Sequence, residues 1–157
     1  MPAAGQTGTI AGYRLDGNVG QGSRAVVYLA RDEMRRRVAL KVMTPELACD
    51  TGFRTRMIGE SRIAATLGHP HIVPVFEADE ADGILYVAMR YMTGGDARSL
   101  LSRHGPLPLG YAWRIVAQIA SALDAAHAHG VIHRDVRPAN IFLDGEDEGD
   151  GVEGGRG

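Results

Sequence analysis

The sequence predicts an α+β fold, in which an antiparallel sheet of five short strands, interrupted by one helix, precedes a mainly helical segment. Three observations carry this prediction. First, runs rich in β-branched and aromatic residues at 13–15, 25–31, 37–43, 72–76 and 84–91 are separated by turn-forming stretches, among them the acidic 77–83. Second, between the third and fourth runs, residues 53–67 place Phe53, Met57, Ala64 and Leu67 at helical spacing. Third, residues 109–129 set Ala112, Ile115, Val116, Ile119, Leu123 and Ala126 on one stripe, and Gly130 supplies a helix stop.

The 157 residues suffice for one medium domain, or for one lobe plus part of another. A hydrophobic content of 45% allows a buried core, and 23% charged residues with a net charge of −2 give no sign of a nucleic-acid partner. The single cysteine, Cys49, excludes an internal disulfide and a cysteine-based zinc site. No apolar run reaches the ~18 residues of a membrane span, and the N-terminus lacks the basic-then-apolar order of a signal peptide, so a cytoplasmic location and no membrane segment are expected. His69 with His71 and His127 with His129 form close pairs, but no carboxylate cluster completes a metal site around either. Composition shifts twice. Residues 1–12, small and polar, read as a flexible leader, and residues 145–157, with six glycines and five acids, as a disordered tail.

The first chemical motif is Gly20-Gln21-Gly22-Ser23-Arg24-Ala25-Val26-Val27-Tyr28. Glycines let backbone amides approach phosphate oxygens, although a plain hairpin turn would use the same residues. A dinucleotide fold needs a helix directly after its glycines, whereas Ala25-Val26-Val27-Tyr28-Leu29-Ala30 reads as a strand. The glycines therefore join two strands, as a phosphate-covering flap would.

The second motif is Val38-Ala39-Leu40-Lys41-Val42-Met43. In a strand Val38, Leu40 and Val42 share one face and Ala39, Lys41 and Met43 the other, so Lys41 projects from an apolar ribbon. Glu60 falls on the apolar stripe of the following helix, where a carboxylate needs a cation, and Lys41 is the one available. The alternatives are a snorkelling Lys41 and an exposed Glu60 on a helix that also carries Arg54, Arg56 and Arg62.

The third motif, His133-Arg134-Asp135-Val136-Arg137-Pro138-Ala139-Asn140-Ile141-Phe142-Leu143-Asp144, follows a helix end. Asp135 and Asn140, five residues apart, are able to place a hydroxyl-orienting carboxylate and a metal-binding amide on one loop. This loop resembles the catalytic loop of eukaryotic-like bacterial serine/threonine protein kinases, and the two earlier motifs stand in that family's order.

The resemblance runs from about Tyr13 to Asp144. It implies a protein-kinase-like fold, with an N-lobe and hinge over 13–92 and a partial, helical C-lobe over 93–144. It implies the cofactors ATP and Mg2+, a protein substrate with a serine or threonine acceptor, and transfer of the ATP γ-phosphate to that hydroxyl. Val19, Gly20, Gln21, Gly22 and Val27 would cover the nucleotide, and Lys41, oriented by Glu60, would hold its phosphates. Val27 and Ala39 would pack on adenine, with Met89 at the back of the pocket and the backbone of Arg90, Tyr91 and Met92 as hinge. Asp96 would contact the ribose and Phe142 would lie beneath the base. Asp135 resembles the catalytic base and Asn140 a magnesium ligand, while Arg137 takes the place of a lysine that neutralises the transferring phosphate. Pro138 favours serine/threonine as acceptor.

The departures from the family pattern are specific. Ala25 replaces the third glycine, Arg90 stands where the hinge often has Glu, and Arg137 is bulkier and forked compared with lysine. Family kinases continue to Asp-Phe-Gly, whose Asp chelates magnesium, and by ungapped count Glu153-Gly154-Gly155 stands there. The sequence thus reads as a truncated form with an incomplete Mg2+ site, in which Arg134, paired in relatives with an activation-loop phosphate, is expected to have no partner. The alternative function is a catalytically inactive remnant, or pseudokinase, that binds nucleotide or a partner. Ile115, Val116, Ile119 and Leu123 are expected to be exposed together unless a partner covers them, each forfeiting ~1.5–3 kcal/mol.

Overall fold

Strand alternation along residues 37–43 divides their side chains between two apolar clusters, and the rest of the fold is arranged around that division. The computed structural model describes residues 8–145. In chain order the elements are β1 (Thr9–Ile10), β2 (Tyr13–Gln21), β3 (Ala25–Arg31), β4 (Arg37–Met43), α1 (Pro45–Cys49), α2 (Thr51–Thr66), β5 (Val75–Ala81), β6 (Ile84–Arg90), α3 (Ala97–His104) and α4 (Leu109–Ala128). A 3-10 turn at Pro138–Asn140 follows. All sheet neighbours are antiparallel, in the order β1-β2-β3-β4-β6-β5.

On one face of the sheet Val38, Leu40 and Val42 pack with Leu15, Tyr28 and Tyr86. On the other, Met43, Leu85 and Val87 pack with Phe53, Met57 and Ile58. Leu40 and Leu85 are fully buried, one on each side. The helix α2 begins at Asp50, whose carboxylate accepts from the Phe53 amide at 2.9 Å, as an N-cap does.

The sheet has six strands rather than the expected five, because the end of the leader is not loose. Ala11 and Gly12 turn the chain with φ of 50° and 84°. Ile10 then pairs with Tyr13 and lies in the core, and the Leu15 amide donates to the Gly8 carbonyl at 2.8 Å. The fourth expected strand is also displaced, from 72–76 to Val75–Ala81, so the stretch read as an acidic turn is mostly strand. An edge strand tolerates outward charges, and only Ala78 of β5 is buried. The turn itself shrinks to Asp82 and Gly83, both at positive φ, the conformation that suits a two-residue hairpin. The expected tail falls outside the described residues apart from Gly145.

The Tyr13 hydroxyl donates to the Glu77 carboxylate at 2.7 Å, and the Tyr13 and Tyr86 rings meet edge-on at 6.1 Å. Burial, then hydrogen bonding to Glu77 and its charge, pushes the Tyr86 phenol up to about 12 and raises that of Tyr13 as well. A folded-state pKa above the unfolded value gives stability that is complete below about 10 and is lost as pH rises through the folded pKa. Thermal melts are therefore expected to fall between pH 10 and about 12, and Glu77→Gln to weaken that dependence.

The helical part has no core of its own among the described residues, since neither apolar cluster includes a side chain from α4. Within α4 only Ala122 is buried. The stripe is partly sheltered: Ile115, Ile119 and Leu123 are half-buried, while Val116, Leu109 and Trp113 are exposed. His69 Nε2 meets Ser121 Oγ at 3.2 Å and links α4 to the turn after α2. Among the described residues no helix is long and apolar enough to cross a membrane.

Candidate active site

The antiparallel register of β3, β4 and β6 brings the expected nucleotide contacts together. Val27 lies opposite Lys41, Ala39 opposite Met89, and Lys41 opposite Val87. Val27, Ala39 and Met89 are half-buried, and Lys41 remains open to solvent on the same face. Between β2 and β3 the chain reverses at Gly22, Ser23 and Arg24, closed by a bond from the Gly22 amide to the Ala25 carbonyl at 2.9 Å. Neither Gly20 nor Gly22 has positive φ, and a Cβ at either would meet its nearest neighbour at 3.6 or 3.8 Å, an ordinary contact. The fold itself does not require these glycines. Val19 and Gln21 beside them are exposed.

After β6 the hinge segment begins with the Arg90 amide donating to the Pro74 carbonyl at 2.9 Å, and Tyr91 and Met92 are half-buried. Asp96 caps α3, accepting from the Ser99 amide at 2.7 Å, and pairs with Phe142 in an isolated antiparallel bridge. Phe142 is thereby fixed beside the hinge, with its ring exposed. Gly94, which the sequence reading passed over, makes this crossing possible. A Cβ there would lie 2.5 Å from the Leu143 carbonyl oxygen, and the Gly94-Gly95 pair was the available signal.

The catalytic-loop residues converge on one carboxylate. Asn140 donates from Nδ2 to the Asp135 carbonyl at 2.8 Å and to Asp135 Oδ2 at 2.9 Å. Arg137 approaches the other oxygen, Nε to Oδ1, at 3.2 Å. The Asp135 amide in turn donates to His133 Nδ1 at 3.3 Å. The 3-10 turn that starts at Pro138 brings Asn140 back over Asp135, with the Asn140 amide bonded to the Arg137 carbonyl at 2.9 Å. Both carboxylate oxygens are thus engaged and aimed, yet the group stays solvent-accessible, as an acceptor for an incoming hydroxyl must.

The expected pairing of Lys41 with Glu60 is not formed. Glu60 instead faces the catalytic loop, where Arg134 Nη1 donates to its Oε1 at 3.2 Å, with both side chains well exposed. Arg134, expected to lack a partner, has this one, and takes a left-handed backbone conformation (φ 62°) that is costly for a side-chain-bearing residue. The reason is packing. Only Phe53, Met57 and Ile58 of α2 engage the core and no α2 residue is fully buried, so Glu60 is never withdrawn from water and needs no lysine.

Although Lys41 is open to solvent, the atoms crowded around it remove part of its hydration, the first cause that lowers its pKa below the usual lysine range. The charge of Asp135 works in the opposite direction, while Arg24 and Arg137 add to the lowering. The catalytic loop thus lies within electrostatic reach of Lys41.

For magnesium, the Asn140 amide oxygen offers one ligand, and the described residues contain no cluster of three or more His, Cys, Asp or Glu side chains able to hold a metal ion. The described residues alone do not complete such a site. Glu153, the one further carboxylate considered from the sequence, lies outside them.

A family model for the protein kinase domain matches residues 13–150. Serine/threonine-protein kinase PknE of Mycobacterium tuberculosis is 51% identical over 136 residues, 86% of this chain and 24% of that protein. Serine/threonine-protein kinase PknH of the same species is 46% identical over 136 residues, 86% of this chain and 22% of that protein. The chain thus spans about a quarter of the length of the curated relatives it matches. Among solved structures, the kinase domain of M. tuberculosis PknI superposes with a TM-score of 0.81 at 40% identity, covering 91% of this chain and 60% of that one. With the family model matched over most of its length and relatives at this level of identity, the chain belongs to the protein kinase domain family.

Proposed function

We propose that the chain carries the nucleotide-holding and hydroxyl-orienting parts of a serine/threonine protein kinase, which transfers the γ-phosphate of ATP to a protein hydroxyl. The observation that carries this reading is the Asp135 carboxylate held by Asn140 on one oxygen and Arg137 on the other, in a chain whose β2–β3 loop has glycines that the fold does not need. Glycines kept without a packing reason leave room for phosphate oxygens to approach backbone amides.

In this reading Val19, Gly20, Gln21, Gly22 and Val27 cover the nucleotide, and Lys41 neutralises its phosphates. Ala39 and Met89 line the adenine side, with the backbone of Tyr91 and Met92 as hinge. Asp96 releases its cap to reach the ribose, and Phe142 lies beneath the base. Glu60 must leave Arg134 to orient Lys41. Asp135 orients the substrate hydroxyl and receives its proton as the new oxygen–phosphorus bond forms and the bond to the ADP oxygen breaks. Arg137 supplies positive charge beside the moving phosphoryl group, and Asn140 provides an oxygen for Mg2+. The exposed apolar residues of α4, Leu109, Trp113 and Val116, fit coverage by further polypeptide. We place the reaction in the cytoplasm, where ATP is supplied.

A thermal-shift titration with ATP, with and without Mg2+, tests the reading. ATP at a hundred times its dissociation constant is expected to stabilise by about 2.7 kcal/mol, and Lys41→Ala to remove most of that gain. Gly22→Ala is expected to melt like the parent without ATP and to gain less with it. Absence of any ATP-dependent shift in the parent sinks the nucleotide reading.

A further inference from the structure

Arg24 stands at the turn of the glycine loop, two residues after Gly22, and is not among the residues that the family resemblance assigns to the nucleotide. Its backbone is fixed, because its carbonyl accepts from the Thr44 amide at 3.0 Å, next to the end of β4. Its side chain is exposed and has no carboxylate partner among the described residues; its guanidinium rests 5.4 Å above the centre of the Phe53 ring, at the start of α2. By contrast, the other arginines around the cleft are engaged by acids, Arg134 by Glu60 and Arg137 by Asp135. The charge of Arg24 is also felt at Lys41.

A solvent-exposed guanidinium above a ring is held by only ~0.5–1 kcal/mol, whereas its planar fork suits phosphate oxygens in a charge-assisted pair. We propose that Arg24 is a further phosphate-binding residue: it waits on Phe53 while the cleft is empty and swings onto the terminal phosphate of ATP when the nucleotide enters. This rests on the nucleotide reading above. It adds a discrimination that Lys41 alone does not give, because a residue on the flap over the cleft reaches the end of a triphosphate and not the end of a nucleoside. The same movement releases the loop from α2, so the two elements are coupled through one side chain.

Calorimetric titration of the parent, Arg24→Ala, Arg24→Lys and Phe53→Leu with ATP, ADP and adenosine tests the assignment, with Lys41→Ala as control. Arg24→Ala is expected to weaken ATP about tenfold, ADP less and adenosine not at all. Arg24→Lys should recover part of the loss, since charge returns without the fork. Phe53→Leu keeps an apolar side chain in the core but removes the ring, and is expected to tighten ATP by about two- to fivefold by freeing the guanidinium. Equal weakening of ATP and adenosine by Arg24→Ala would mean a structural role and overturn the proposal, as would unchanged ATP affinity. A parent that binds ATP in a Lys41-dependent way but ignores Arg24 removes this inference and leaves the nucleotide reading standing. A parent that does not bind ATP removes both.

Discussion

Asp135→Asn is expected to reduce phosphoryl transfer to a serine- or threonine-containing peptide by about 10²- to 10⁴-fold while leaving ATP binding within a factor of two or so. The carboxylate now serves two donors, Asn140 Nδ2 on one oxygen and Arg137 Nε on the other. An amide in its place has one oxygen, so either Asn140 or Arg137 meets an NH2 group and must turn away. In the proposed reaction the substrate hydroxyl would lose the acceptor that orients it and takes its proton, a loss confined to the reacting complex. ATP binding, which the proposed function assigns to residues of the sheet and hinge, is expected to be unaffected by that change. Transfer measured with radiolabelled ATP, alongside ATP-dependent melting, separates the two effects. Equal loss of binding and transfer would mean that Asp135 supports the fold of the loop and not the chemistry. A parent that binds ATP but transfers nothing would move the chain to a nucleotide-binding role.

This prediction was open to the sequence because it depends on local spacing. Asp135 and Asn140 are close in the chain, and the Pro138 turn between them brings the amide back to the carboxylate, so five residues of separation suffice to define the pair. Lys41 was equally legible, since strand alternation alone assigns it to the face opposite Leu40. Glu60 was not. Its helical stripe matches that of Phe53 and Met57, but a stripe says which residues share a side and not how far along the helix the packing extends. Contact with the core stops after the first turns of α2, and the choice between Lys41 and Arg134 is made by the relative position of two elements remote in sequence. The edge strand β5 was obscured for a related reason, because Glu77, Asp79 and Glu80 are ordinary on an edge and discouraging in a centre. The Asp82-Gly83 pair was the better guide to where that hairpin turns.

Leu40→Ala is expected to cost about 2–5 kcal/mol and to lower the melting temperature by roughly 6–20 °C, with Leu85→Ala similar on the opposite face. Both side chains are fully buried, and each anchors a strand of the central β4–β6 pair. By contrast, Leu109→Ala on α4, where the side chain is 86% exposed, is expected to change stability by no more than about 0.5 kcal/mol. Thermal melts of the three variants by circular dichroism check the ordering, and a large effect at Leu109 would mean that α4 is covered in solution. The two leucines also bear on function. Leu40 is the residue before Lys41 on the same strand, so the packing that holds Leu40 in one core is what turns Lys41 toward the cleft. Partial loss of that packing is expected to weaken ATP binding even where the sheet survives, because β4 is then free to shift against β3 and Lys41 loses its fixed position opposite Val27.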